Sequence, residues 1–209
     1  MTRGKFITIE GQDGAGKSTN LAVIEEELRA AGKELVVTRE PGGTPFGEQV
    51  RELILSSNDT EFGDTAELLL IFASRAQHIE QVIEPALAAG KWVLCDRFTD
   101  ATFAYQGGGR GIESSKIAQL ETFVQGSLQP DLTVLLDLPI EIGESRAGQR
   151  SAPDRFERQK SEFKAKVRQS YLDRAALEPV RFRKVDASTD IETVKAAISA
   201  VINDYLANY

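Results

Sequence analysis

The chain contains one cysteine, one histidine, one methionine and one tryptophan in 209 residues, and it has no surplus of positive charge. A single cysteine excludes an internal disulfide. Cys95 stands in the apolar run Trp92-Val93-Leu94-Cys95, which points to a small buried strand residue rather than a reactive thiol. The lone histidine, His78, falls on a long helical segment and is expected at a surface or interface, without a catalytic task. A net charge of −7 and a pI near 5.0 argue against a broad electrostatic grip on nucleic acid. An anionic small molecule needs only a few local cations, so it stays open as a ligand. No apolar run is long enough to span a bilayer, and no membrane partner is expected. The opening Met1-Thr2-Arg3-Gly4-Lys5 carries no signal-peptide hydrophobic region, so a cytoplasmic address is expected. Repeats, low-complexity tracts and interdomain linkers are also missing. Residues 1–209 are therefore expected to form one domain.

What is present alternates between two periods. Phe6-Ile7-Thr8-Ile9, Leu35-Val36-Val37, Trp92 to Cys95 and Leu132 to Leu136 are short apolar runs, with a weaker, more charged one from Val180 to Val185. Helix-period segments separate them. This predicts an α/β fold, a five-stranded parallel sheet with helices on both faces. Leu21, Ile24 and Leu28 recur at helical spacing before Gly32, a C-terminal cap. Asp64 and Glu67 match a capping box that opens a long helix toward Ala89 and Gly90, bent or divided at Pro85. Thr189 and Glu192 repeat that signature before Val194, Ile198, Val201 and Tyr205. The polar, basic stretch at about 143–155, interrupted by Gly148 and Pro153, is expected to be a mobile excursion that acts as a lid.

Gly11-Gln12-Asp13-Gly14-Ala15-Gly16-Lys17-Ser18 matches G-x-x-x-x-G-K-[ST] between the first strand and the first helix. Glycines let backbone N–H groups close around phosphate oxygens, and the helix N-terminus adds partial positive charge. Lys17 is expected at the β- and γ-phosphates of a nucleotide, Ser18 on Mg²⁺, and Thr19 at a phosphate further back. The motif alone leaves kinases, GTPases and mechanical ATPases open. No N-K-x-D guanine-reading pattern accompanies it.

A second anion site is suggested at the same sheet edge. Arg39-Glu40-Pro41-Gly42-Gly43-Thr44 follows the second strand, and Asp96-Arg97 ends the third, where open α/β sheets bind ligands. Asp96 could serve Mg²⁺ or orient an attacking phosphate oxygen, and Arg97 could steady phosphates. Asp137, after the fourth strand, ranks lower because no basic residue neighbours it in sequence. Leu68, Phe72 and Arg75 share one helix face, as do Thr102, Tyr105 and Gln106, and both sets could meet a base and sugar.

Thr38 to Thr44, Cys95-Asp96-Arg97 and Ala104-Tyr105-Gln106-Gly107-Gly108-Gly109-Arg110, together with the phosphate loop, resemble bacterial thymidylate kinases over nearly the whole chain. The resemblance implies a P-loop nucleoside monophosphate kinase fold, ATP and dTMP as substrates, Mg²⁺ as cofactor and a homodimer. It implies that Phe72 stacks on thymine and that Arg75, Thr102 and Gln106 meet its polar edge. Asp13 would hold the 3′-hydroxyl, Tyr105 would crowd the 2′ position, and Arg39 and Arg97 would bind the acceptor phosphate. Gly14 occupies the slot where one branch of the family carries its catalytic arginine. Arg146, Arg150 and Arg155 in the excursion point to the other branch, with Arg150 at the transition state and Arg146 nearer adenine. A kinase for another nucleotide or a deoxynucleoside, and a nucleotide-dependent switch, are the alternatives.

Overall fold

Strand side chains point alternately to opposite faces, so a run that is apolar throughout must be covered on both. The computed structural model describes residues 2–56, 62–147 and 155–208. Its parallel strands are β1 (Phe6–Glu10), β2 (Leu35–Arg39), β3 (Trp92–Asp96), β4 (Leu132–Asp137) and β5 (Phe182–Asp186). They stand in the order β2-β3-β1-β4-β5. Ile7 and Ile9 of β1, Leu94 of β3 and Val134 and Leu136 of β4 enter one core layer. That layer is closed by Ile24 and Leu28 of α1 (Lys17–Ala30) and by Val194, Ile198 and Ile202 of α9 (Ile191–Ala207). Phe6, Val93 and Cys95 face the opposite layer. On that face Thr8 of β1 pairs with Thr133 of β4 at 2.8 Å, so both buried hydroxyls are satisfied inside the sheet.

Between β2 and β3 run α2 (Pro45–Ser56) and α3 (Asp64–His78). One π-helical turn, Ile79–Ile83, then leads into α4 (Glu84–Ala88). Pro85 stands in the first turn of α4, where its missing N–H costs nothing, and the divided long helix follows from it. After β3 a single α-turn, α5 (Thr99–Thr102), continues into a π-helical segment, Phe103–Gly109. The remaining helices are α6 (Ser114–Gln125), α7 (Ile140–Ala147) and α8 (Ser161–Leu177). Val167 and Tyr171 of α8 join Tyr105, Leu135 and Phe182 to finish the second face.

Several sequence expectations change. The cap of α9 is Asp190, whose carboxylate accepts from the N–H groups of Glu192 and Thr193; a carboxylate matches that role better than the neighbouring Thr189 hydroxyl. Gly63, not Asp64, precedes α3, and Glu67 is turned into the core instead of back to the helix start. Val180 is exposed and β5 begins at Phe182. Residues 140–147, at the start of the expected excursion, form helix α7. His78 is completely buried, because α3 directs it inward on the stripe of Leu68, Ile71 and Arg75.

Candidate active site

The chain leaves β1 at Glu10 and turns through Gly11 to Gly16, so the loop sits at the carboxyl edge of the central strand. The order of strands reverses on either side of β1, which opens a crevice there. Gly14 has φ +78°, and a Cβ on it would lie 2.1 Å from the Gly143 carbonyl oxygen of α7. No side chain fits that slot while α7 packs on the loop. An arginine is therefore excluded from the place where part of the resembling family carries one. Lys17 Nζ donates to the carbonyls of Gly11 and Gln12 at 3.0 and 3.2 Å. Burial and the charge of Arg97 lower its pKa to about 8, against the opposing pull of Asp13, Asp96 and Glu10. Gly14, Gly16, Thr19, Arg146, Thr189 and Ile191 line a cavity beyond the loop. Arg146 is held there by the carbonyls of Ala187, Ser188 and Thr189.

Ser18 and Asp96 line a shared cavity, and Asp96 Oδ1 is buried without a hydrogen-bond partner among the described residues. A hydroxyl and an unsatisfied carboxylate oxygen are hard oxygen donors, which fit Mg²⁺ held partly by phosphates. Asp137 does not compete for this place. Its carboxylate is tied to Arg168 of α8 at 2.7 and 3.2 Å, a cation distant in sequence but adjacent in the fold.

A second cavity opens beside Asp13, lined by Pro41, Arg51, Arg75, Arg97, Thr102 and Gln106 among others. Arg97 has φ +68°, a strained conformation for a side-chain-bearing residue. Bonds on both sides hold it: Arg97 N–H to the Ile9 carbonyl, and the next N–H, of Phe98, to Glu10 Oε1 at 2.7 Å. Its guanidinium reaches Asp13 at 2.5 Å and the Tyr105 hydroxyl at 2.8 Å. Burial works to raise the Asp13 pKa, but the charges of Arg97 and Lys17 outweigh it and keep the carboxylate ionised. Asp13, Arg97 and Tyr105 thus form the seam between loop and cavity.

Arg75 is anchored at the other end. Its guanidinium lies over the rings of Phe72 and Phe98, at 4.9 and 5.0 Å. Nε donates to Glu40 at 2.7 Å and Nη2 to Thr102 at 2.9 Å, while Nη1 is buried with no partner among the described residues. Glu40, in turn, meets His78 Nδ1 at 2.9 Å, and His78 Nε2 meets the Thr38 hydroxyl at 2.7 Å. A Cβ on Gly43, at φ +77°, would fall 2.5 Å from His78 Nε2, so the turn after β2 closes directly on this ring. Gln106 is oriented from behind by Glu67 at 2.7 Å.

The structure brings Asp13, Arg75, Arg97, Thr102, Tyr105 and Gln106 to one cavity. Phe72 is not among its lining residues; the ring is buried with Leu68, Phe103 and Ile117, because its helix face packs on α6 and the segment after β3. Arg39 lines the adjoining cavity with Ser18 and Asp96. It is about half exposed and paired with Glu48, while Arg51, one helix further on, lines the second cavity. Burial and the charges of Arg39 and Arg97 depress the Arg51 pKa, so three cations converge near one point. Arg155 turns from the phosphate loop and pairs with buried Glu67 at 2.7 Å. Arg150 lies outside the described residues. Sequence reasoning missed Arg51, Glu40, Glu67 and Glu10. Inward helix spacing from Leu68 to His78 could have flagged Glu67 and His78; no local pattern marks the rest.

A family model described as thymidylate kinase matches residues 9–198. The chain is 55% identical to a thymidylate kinase of Chromohalobacter salexigens, with all of both chains covered. It is 53% identical to one of Alcanivorax borkumensis over 96% of this chain and 97% of that one. Among solved structures, the thymidylate kinase of Ehrlichia chaffeensis superposes with a TM-score of 0.78 at 34% identity, covering 96% of this chain and 99% of the other.

Proposed function

The chain belongs to the thymidylate kinase family, and on that premise we propose which of its residues carry the transfer. The reaction moves the γ-phosphoryl of ATP to the phosphate of dTMP and yields dTDP and ADP. A phosphate oxygen of dTMP attacks the γ-phosphorus in line, and the bond to the β-phosphate oxygen breaks. Such a transfer needs positioning and charge neutralisation more than covalent help.

The loop N–H groups from Gly11 to Thr19 and Lys17 hold the donor phosphates, with Arg146 beside the donor base. Ser18 and Asp96 hold Mg²⁺, which when bound neutralises charge on the phosphate oxygens. Arg97 and Arg51 grip the acceptor phosphate. Arg97 is stabilised between Asp13 and Tyr105, which in turn face the sugar. Arg75 Nη1, Thr102 and Gln106 meet the edge of the base, and Phe72 acts by fixing the plane of Arg75. The segment at about 143–155 is the lid, with Arg150 bearing transition-state charge. The reading is carried by one observation: Arg75, whose Nη1 is buried without a partner among the described residues, lines the same cavity as the Arg97–Asp13 pair, and the charges of that pair act directly on Lys17.

Coupled measurement of ADP release with dTMP, dUMP, dCMP, AMP and no acceptor tests the assignment. Release strongly stimulated by dTMP and abolished by a chelator is expected; equal release without acceptor rejects it. In the same assay Arg150→Ala should lower kcat about 10³-fold with little change in the dTMP KM. Unchanged turnover would remove Arg150 from the mechanism. A homodimer through the exposed apolar residues Phe46 and Leu53 of α2, Leu69 of α3 and Phe123 of α6 fits the same reading, as does a cytoplasmic address. A sedimentation mass of one chain would reject the pairing.

A further inference from the structure

An amide side chain has two different ends, one that donates and one that accepts. Which end a base meets decides which base is accepted. Gln106 lines the acceptor cavity, and the residue behind it leaves no choice of orientation. Glu67 of α3 is completely buried. Its Oε1 lies 2.7 Å from Gln106 Nε2, and its Oε2 faces Arg155 at 2.7 Å and Arg110 at 3.3 Å. A carboxylate paired with two guanidinium groups only accepts hydrogen bonds, so the amide nitrogen must face it. The amide oxygen is then the end left for the cavity.

We infer that Glu67 is a specificity-determining positioning residue: by holding Gln106 with its oxygen toward the base, it selects pyrimidines that carry a proton on N3. This rests on the reading of Gln106 as a base contact. Thymine and uracil offer N3–H to that oxygen. Cytosine presents a bare N3 acceptor, and two acceptors would face each other across a buried contact. The Arg75 guanidinium reads the neighbouring 4-oxo group independently, since its own anchor is Glu40. The 5-methyl group, the one difference between dTMP and dUMP, does not meet the Gln106 amide.

The test compares kcat/KM for dTMP, dUMP and dCMP in wild type, Glu67→Gln and Gln106→Leu. In Glu67→Gln the partner amide both donates and accepts, so Gln106 is free to turn round. The dTMP-over-dCMP selectivity should fall about tenfold or more, while the dTMP-over-dUMP ratio stays unchanged. Glu67→Gln also leaves Arg155 facing a neutral group in the core, so Glu67→Gln/Arg155→Gln is measured alongside. The same fall in selectivity is expected of any variant that keeps a cooperative melting transition. An unchanged dTMP-over-dCMP ratio in a folded variant overturns the inference, and so does a parallel loss of both ratios, which would mean general loosening. Gln106→Leu separates the two levels. If it leaves the dTMP KM and both ratios unchanged, the reading of Gln106 as a base contact fails; if it lowers selectivity against dCMP and Glu67→Gln does not, only the role of Glu67 fails.

Discussion

The proposed donor loop is made of neighbours in the chain, Gly11 to Thr19, and offers mainly backbone; the proposed acceptor cavity is made of side chains drawn from as far apart as Asp13 and Phe156. The loop needs little beyond glycine geometry and one lysine. The cavity needs polar side chains held in place by carboxylates: the cations Arg75 and Arg97 by Glu40 and Asp13, and the Gln106 amide by Glu67. A backbone cradle is specified by a short motif, while a side-chain cradle is specified by long-range pairing. The two should therefore fail differently when altered.

Lys17→Met is expected to have the largest effect. Loss of the phosphate-loop cation should lower kcat about 10³-fold and leave the dTMP KM within about threefold, measured by steady-state kinetics. An equal rise in the dTMP KM would show that the regions are not separable. Glu40→Gln comes next and strikes the cavity alone. Breaking the Arg75–Glu40 pair, in which neither side chain is more than 3% exposed, should cost about 3 kcal/mol in urea denaturation. It should raise the dTMP KM about tenfold and leave the ATP KM unchanged.

The smallest effect concerns Glu10, at the junction of the two regions. Burial, reinforced by the charge of Asp100, raises its pKa from an ordinary 4.5 to about 8. The folded state then binds this proton more tightly than the unfolded state. The associated stability is fully present below about pH 4.5 and is lost as pH rises through about 8. Glu10→Gln keeps a neutral partner for the Phe98 N–H and the Tyr171 hydroxyl. Its Tm should consequently fall less than that of wild type between pH 5 and pH 8 in thermal denaturation, and identical slopes would remove Glu10 as the cause.

The same contrast explains what the sequence disclosed. The sheet was legible because its apolar runs are buried on both faces, and the donor loop because its motif is contiguous. Arg97, Tyr105 and Gln106 were legible in outline as strand-end and helix-face residues. The carboxylate behind Gln106 was not: Glu67 obeys a capping-box spacing yet turns inward to two arginines and an amide. His78 looked like a surface histidine because nothing local shows that Glu40 and Thr38 await it. Arg51 was missed because it stands on α2, which lines the cavity, whereas Arg39 at the strand end lines the adjoining one with Ser18 and Asp96.

The most direct test uses one molecule carrying adenosine and thymidine at the two ends of a tetraphosphate or pentaphosphate chain. If the loop and the cavity meet end to end across Asp13 and Arg97, titration calorimetry will show one such molecule per chain, excluding ATP and dTMP together and binding far more tightly than either. Displacement of only one of the two nucleotides, or two molecules bound per chain, would contradict the account.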